Sequence, residues 1–187
     1  MALTLKIVDA VDTLRAIAHP LRMKMLGALR ADGPATASDL GRRFGESSGS
    51  TSYHLRQLER FGFVVEDDEQ PSRRERRWKA AHDLTSFDDE ALYDGAAGRE
   101  LMSVVEQTQM NQLMASLQAW SKRERGGAMG HSDYLVRLAP AQLKAMLAEL
   151  ENVVERYSSM PAREGVEGVE DVALHILALP KVRAIRD

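Results

Sequence analysis

The stretch between Thr36 and Gly62 most constrains what this chain can fold into. It holds two short segments with apolar residues at helical spacing, and each segment ends at a glycine. Thr36 or Ser38 can cap the first helix, and Gly45 can stop it in the manner of a C-terminal cap. The second helix begins near Ser48 and closes at Gly62. Two short helices joined by a tight turn are the outline of a helix-turn-helix.

The residues after Gly62 predict a β-hairpin directly behind these helices. Residues 63–66, FVVE, have strand composition, DDEQPS is rich in turn formers, and residues 74–80 return as a second strand. Along that return strand, Arg76, Trp78 and Ala80 share one face. A hairpin directly after a helix-turn-helix makes a winged helix, with Trp78 expected in its core.

Helices are also expected on both sides of this unit. Upstream, Pro20 interrupts an apolar stripe, and proline fits best in a first helical turn, so we expect helices over about 8–18 and 20–30. Downstream, Thr85 and Ser86 are candidate caps. Beyond them a stripe from residue 101 to residue 120 predicts one long helix, suited either to dimerisation or to supporting the rest of the chain.

The last third of the chain predicts a small strand-helix-strand unit. A charged, glycine-rich linker over 122–132 precedes DYLVRL, a helix from Pro140 to about Tyr157, and the apolar run 172–179, in which His175 is expected to be a core residue. The expected fold class is therefore α+β, mainly helical with little β-sheet. We expect three regions: a winged helix-turn-helix over 1–82, a helical dimerisation or linking region over 83–125, and the α/β unit over 126–187, for which sensing and dimerisation are both open.

Charge is distributed unevenly along the chain. The net charge is −3, but residues 1–82 carry +3 and residues 83–187 carry −6. The run RRERRWK, residues 73–79, places basic side chains on the expected wing. Such a run indicates a local anionic partner. On charge alone, a solvated strand face explains it equally well.

The front of the second helix is crowded with serine and threonine, which are mediocre helix formers. Short hydroxyl side chains let a helix approach a DNA major groove closely and can bond either base type, and a helix N-terminus favours phosphate. We therefore expect this cluster to be a reading surface. The candidate DNA contacts are Ser48, Ser50, Thr51, Ser52, Tyr53, His54, Arg56 and Gln57 on the helix, and Arg73, Arg74, Arg76 and Arg77 on the wing.

Three of these candidates have open alternatives. Tyr53 either contacts a phosphate or a thymine methyl group or is an exposed aromatic residue without a role. His54 is either a DNA contact or a half-buried histidine that bonds a neighbouring backbone group. Arg76 either contacts DNA or pairs with Glu66 or Asp68 across the hairpin.

An ordered set of motifs adds a family resemblance. The set comprises Pro20-Leu21-Arg22, Ser52-Tyr53-His54-Leu55, Leu58, Gly62-Phe63-Val64 and the basic run ending at Trp78. It resembles the winged helix-turn-helix of the arsenic-repressor-like (ArsR) family of bacterial transcription factors. The resemblance implies a homodimer that binds an inverted repeat in double-stranded DNA, most commonly as a repressor.

The chain departs from the metal sensors of that family. It has no cysteine, and its five histidines form no pair at ligand spacing, so we expect no metal and no cofactor. No glycine-rich phosphate loop or Gly-x-Ser-x-Gly motif supports an enzyme. No apolar run could span a bilayer and the N-terminus is not signal-like, which predicts a cytoplasmic protein. Two rival functions stay open: a protein-interaction module, and a sensor of an unidentified small molecule.

Overall fold

The computed structural model describes residues 3–69, 76–121, 134–158 and 160, together with 172, 174–176 and 178. Its elements are, in chain order, β1 Leu5–Val8, α1 Val11–Ile17, α2 Pro20–Ala31, β2 Ala35–Thr36, α3 Ala37–Phe44, α4 Ser48–Arg60, β3 Val64–Glu66, β4 Arg77–Ala80, β5 Leu84–Phe87, α5 Asp89–Tyr93, α6 Ala96–Ser121 and α7 Pro140–Ser158. The expected α+β fold class, mainly helical with a winged helix-turn-helix, is confirmed.

Helix α3 forms where its capping residues predict it. The Thr36 hydroxyl accepts from the Asp39 backbone N–H at 3.1 Å, while the Asp39 carboxylate accepts from the Thr36 N–H at 3.1 Å. This reciprocal capping box satisfies two of the free donors at the helix start. Gly45 ends the helix with φ of 71°, a left-handed conformation that glycine adopts without strain.

The turn between α3 and α4 is short and closely packed. A Cβ at Gly41 would lie 2.8 Å from the Glu46 carbonyl oxygen, so only glycine lets the turn pack this near to α3. Ser47 then caps α4, its hydroxyl accepting from the Ser50 N–H at 3.1 Å. These contacts hold the two helices in a fixed relation.

The wing is an antiparallel sheet in the order β2-β4-β3. Val64 pairs with Ala80, and Ala35 pairs with Trp78 from the other side. Trp78 is buried, as expected. Residues 70–75, at the turn of the hairpin, lie outside the described part of the chain.

A second, two-stranded sheet was not predicted. β1 and β5 pair in parallel, with Leu5 opposite Leu84. The Asp83 carboxylate accepts from the Thr4 N–H at 2.8 Å and from its hydroxyl at 2.7 Å, which fastens the start of this pair. The expected helix over 8–18 is consequently shorter, Val11–Ile17.

The expected caps at Thr85 and Ser86 are wrong, because both residues lie in β5. The helical region begins later, where the Asp88 carboxylate accepts from the Ala91 N–H at 3.2 Å. A four-residue strand is too short to show a period of two, so only its partner strand identifies it.

One core joins the helix-turn-helix to the first half of α6. Its fully buried members include Leu14, Met25, Leu40, Phe63 and Val105. Arg30 on α2 links the helix-turn-helix to β5, because it donates to the His82 carbonyl at 2.9 Å and to the Thr85 hydroxyl at 2.8 Å. The packing is thus continuous across the expected boundary between residues 82 and 83.

The C-terminal helix α7 forms as predicted, but the strand expected before it does not. Residues 134–138 form neither a helix nor a paired strand, and Tyr134 is 85% exposed. A strand needs a partner for its backbone groups, and no described segment offers one. The described residues of the expected strand 172–179 are not in a strand either, and His175, expected in the core, is exposed. The expected linker, residues 122–132, lies outside the described part of the chain.

Candidate nucleic-acid interface

Helix α4 has one buried side and one open side. Leu55 and Leu58 are fully buried against the core. The opposite side exposes Ser48, Arg56 and Tyr53, the last 56% exposed. The apolar stripe is therefore completely covered within the chain, and what α4 presents outward is polar.

The α4–wing groove lies between this helix and the hairpin. Its volume is about 510 Å³, and its lining is Ala37, Ser38, Ser48, Ser52, Arg56, Arg76 and Trp78. Ser48, Ser52 and Arg56 are four residues apart and so share one face of α4. Hydroxyl groups and two guanidinium groups are the donors that phosphates and base acceptors bond best. Ser38 lines the groove but was not predicted as a site residue. Its position in the first turn of α3, next to the turn that leads into α4, was the only sequence feature that could have indicated it.

Thr51 does not belong to the reading surface, contrary to expectation. It is fully buried, and its hydroxyl donates to the Ala37 carbonyl at 2.7 Å. The carbonyls of Ser47 and Ser48 lie 3.2 Å and 3.1 Å from the same oxygen. Thr51 therefore fastens the first turn of α4 to the start of α3, because its position on the helix faces α3.

His54 is half-buried and contacts another histidine. Its ring lies 4.6 Å from that of His19, centroid to centroid, and Tyr53 packs edge-on at 5.3 Å. Burial lowers the pKa of His54, with the positive environment of His19 and Arg22 adding to the effect. The structure thus favours the half-buried alternative, with a ring contact in place of the expected backbone bond.

His19 is a contact residue that the sequence reasoning missed. Its Nδ1 accepts from the Leu21 N–H at 3.2 Å, capping α2 just before Pro20. Burial is also the main cause that lowers the pKa of His19, followed by Arg22. The His-Pro pair ahead of an apolar stripe was the signal for this cap.

The wing arginines divide into three groups. Arg76 pairs with Glu66 at 2.8 Å, which was the open alternative for it, yet it also lines the α4–wing groove. Arg77 was expected to contact DNA, but its guanidinium donates to the Pro34 carbonyl at 3.0 Å and 3.3 Å. Strand alternation turns it towards β2. Arg73 and Arg74 lie outside the described residues.

Acidic residues also occupy the described base of the wing. Lys79 Nζ lies 2.6 Å from the Asp68 carboxylate and 3.5 Å from that of Asp67. The bond to Asp68 raises the pKa of Lys79. The basic run therefore has internal partners as well as exposed charge.

Of the expected contacts, the structure brings Ser48, Ser52, Arg56 and Arg76 together in one groove. Tyr53, with half-exposed Ser50 and Gln57, completes the open side of α4. Among the described residues, no three His, Asp or Glu side chains are arranged to hold a metal ion. Within the same residues, no helix combines the length and apolar character needed to cross a bilayer.

Comparison with known proteins identifies the same segment. Residues 17–67 match a family described as a helix-turn-helix domain. No curated protein matches the chain. Together with the paired wing strands, the family match confirms the winged helix-turn-helix that the resemblance implied. This is a fold of the DNA-binding class.

Several solved structures are similar in part. Reduced HlyU from Vibrio cholerae is 27% identical, covering 39% of this chain and 73% of that one, with a TM-score of 0.34. An ArsR family transcriptional regulator is 24% identical over 60% of this chain and 91% of its own, at 0.32. A transcriptional regulator from Thermotoga maritima is 16% identical over 76% and 80%, also at 0.32. At such TM-scores these structures say nothing about the function of this chain.

Proposed function

We propose that this protein is a sequence-specific DNA-binding transcription regulator that acts as a homodimer on an inverted repeat. The observation that carries the proposal is the state of α4. Its apolar stripe is covered by its own chain, while its open side and the wing enclose a groove lined by hydroxyls, Arg56 and Arg76. A helix with this division fits a DNA major groove.

The groove and the open side suit different parts of DNA. Ser48, Ser52 and Arg56 face the wing, where they suit the phosphate backbone and would fix register. Tyr53 and Gln57 lie on the outward side, where a glutamine can bond adenine and an aromatic edge can contact a thymine methyl. Affinity and sequence preference thus reside in neighbouring but separate residues.

The homodimer follows from the two-fold symmetry of the proposed operator. Two α4 helices in successive major grooves must lie about 34 Å apart, which requires a second copy held in fixed orientation. The end of α6 offers exposed apolar side chains for this purpose: Met110, Met114, Leu117 and Trp120. Repression by blocking polymerase is the mode that the family resemblance favours.

The test begins with selection of genomic fragments at about 0.15 M salt, followed by anisotropy titration of the best fragment. The proposal expects a symmetric site bound at least ~10³ tighter than random DNA. Sequence-blind binding with a steep salt dependence would instead support a protein-interaction module, and the regulator would be refuted.

Salt dependence tests the role of the groove separately. If each protomer neutralises about four phosphates, log K against log salt should have a slope near −7. Arg56→Gln should reduce that magnitude by about 1.8 for the dimer, at about 0.9 per phosphate. Arg99→Gln is the matched control, since Arg99 lies on α6 and donates to the Tyr93 carbonyl at 2.8 Å. Equal slopes for both variants would remove Arg56 from the interface.

One observation favours small-molecule sensing as a second function. A groove of about 500 Å³ lies between α2 and α6, with Lys24, Ser103, Gln107 and Asn111 in its lining. An ammonium group among amides and hydroxyls suits a small organic anion. Thermal melting with a panel of carboxylates should show stabilisation that Lys24→Met abolishes. Such a ligand releases DNA only if it binds the DNA-free state more tightly.

A further inference from the structure

The second half of α6 has an unusual composition. From residue 107 to residue 121 it contains no charged side chain, although charged residues make up 28% of the chain. Met110, Met114, Leu117 and Trp120 form an exposed apolar stripe, and exposed Ala115 and Ala119 lie on the opposite side of the helix. Depletion of charge with enrichment of methionine and aromatic residues marks the core of a protein interface.

Helix α7 has the complementary property of a single apolar face. Seven apolar residues follow one side of it: Leu143, Met146, Leu147, Leu150, Val153, Val154 and Tyr157. Lys144, Glu151 and Glu155 lie on the opposite side. None of the residues of α7 is buried in the chain by itself. Leu143, Met146, Leu147 and Val154 are half-buried, whereas Leu150, Val153 and Tyr157 are exposed, so the stripe of α7 is only partly covered within the chain.

The two helices match in length. The charge-free part of α6 has 15 residues and the stripe of α7 spans 15, so each is about 22 Å long. A helix contact covers only part of the circumference of a helix, so α7 alone cannot enclose a segment that lacks charge on every side. The start of the segment already faces α2, where Gln107 and Asn111 line the groove with Lys24. What stays open is the stripe of Met110, Met114, Leu117 and Trp120, which needs a second apolar surface besides α7.

We propose that residues 107–121 and helix α7 from two copies of this chain form a four-helix interface, with the α6 segments inside and the α7 helices outside. The two-fold axis supplies the missing inner helix as a second α6, because the same surface serves both copies. The Met/Leu/Trp stripes meet at the axis, and α7 approaches α6 closely at Ala119, because Ala115 on the same side lines the α2–α6 groove. The inference rests on the homodimer of the proposed function and adds α7 to its interface.

The first experiment measures the dimer dissociation constant by sedimentation without DNA. Leu117→Glu on α6 and Leu150→Glu on α7 each place a charge in the expected interface. Each should raise the constant by at least ~100-fold. At about 1.4 kcal/mol per tenfold change, this is a loss of about 2.8 kcal/mol of association free energy. Ala148→Glu adds the same charge on the outer side of α7 and should leave the constant within about threefold. Both leucines are exposed in the single chain, at 42% and 37%, so folding should survive.

Outcomes separate this inference from the proposed function. If Leu117→Glu dissociates the dimer and Leu150→Glu does not, α7 lies outside the interface, and the four-helix arrangement is refuted while the homodimer stands. If the wild-type chain is monomeric and still binds a symmetric site tightly, both the interface and the homodimer fail. Loss of the dimer in both variants, with Ala148→Glu unaffected, supports the arrangement.

A second experiment tests whether the helices meet between chains. The chain has no cysteine, so a single introduced cysteine is a unique label. Protein with Leu117→Cys is mixed with protein carrying Leu147→Cys, both spin-labelled, and distances are measured by double electron–electron resonance. A distance between chains below about 20 Å is expected from adjacent helices 8–10 Å apart. Only longer distances between the two kinds of chain would refute contact between α6 and α7 across the dimer.

Discussion

Helices α4 and α7 have the same amphipathic pattern but differ in how much of their apolar stripe the chain covers. Both carry an apolar stripe along one side and polar residues along the other. In α4, Leu55 and Leu58 are fully buried, and the helix packs against α1, α2, α3 and β3. In α7, Leu147 and Leu150 have no comparable cover. The face left open is therefore polar in one helix and apolar in the other.

This difference separates two kinds of partner. An open polar face with its apolar side already satisfied offers hydrogen bonds and charge, which suit nucleic acid. An open apolar face gains free energy only by leaving water, which suits protein. The comparison predicts that substitutions in α4 alter folding and DNA binding, and that substitutions in α7 alter association.

The largest expected effect is the loss of a leucine from the covered stripe. Leu58→Ala should lower the free energy of unfolding by about 2–5 kcal/mol, because it leaves a cavity in a closed core. Leu147→Ala should have a smaller effect that disappears at concentrations where the chain is monomeric. Urea unfolding over a hundredfold range of protein concentration distinguishes them. Equal losses at every concentration would show that α7 is packed within its own chain.

Most of the helix-turn-helix could be predicted because its boundaries are set locally. Thr36, Gly45 and Ser47 each act within a few residues of their position, so the sequence carries their effect. The β1–β5 pair could not be predicted, since the contact between Thr4 and Asp83 joins residues 79 positions apart. Parallel pairing of such short strands has no local pattern.

Helical periodicity predicted which residues of the candidate site share a face of α4. The spacing of Ser48, Ser52 and Arg56 places them on one face whatever surrounds the helix. Thr51 and His54 were misassigned or left open because their environment comes from α3 and α2. Periodicity gives the face of a residue, but only the packed neighbour decides whether that face meets water.

A second prediction concerns the open face of α4. Tyr53→Ala should reduce the ratio of specific to non-specific DNA affinity, by about 1–3 kcal/mol if the ring contacts a base. Tyr134→Ala is the control, because Tyr134 is more exposed still but lies next to α7. Anisotropy titrations on the selected site and on random DNA give the ratio. Equal weakening on both DNAs would make Tyr53 an anchor without a reading role.

A smaller effect is expected at Thr51, which was predicted to contact DNA but is buried in the structure. Thr51→Val preserves shape but removes the donor to the Ala37 carbonyl, and should cost about 1–2 kcal/mol of stability. Ser50→Ala, one residue earlier and half-exposed, should change stability by less than about 0.5 kcal/mol. Urea unfolding measures both. An unchanged stability with an altered base preference in Thr51→Val would return Thr51 to the interface.

The smallest expected effect is a pH dependence of stability that comes from two histidines where α4 meets the start of α2. His19 and His54 stack at 4.6 Å, and burial holds the pKa of each below its usual value, with Arg22 acting in the same direction and Glu46 opposing it. The unfolded chain therefore binds protons more readily than the folded one. Stability should be complete above pH 7 and should fall as the pH decreases through about 6.5 and towards the lowered values. Because both rings are partly solvated, the loss should stay under about 1 kcal/mol.

Urea midpoints between pH 8 and pH 5 test this dependence, with His54→Gln against His82→Gln as the matched control. His54→Gln should flatten the decline because it removes one member of the stacked pair and relieves the other. His82→Gln should leave the decline in place, since His82 lies outside the pair. An identical decline in both variants would place the titrating groups elsewhere in the chain. The stacked histidines would then be only a packing contact between α2 and α4.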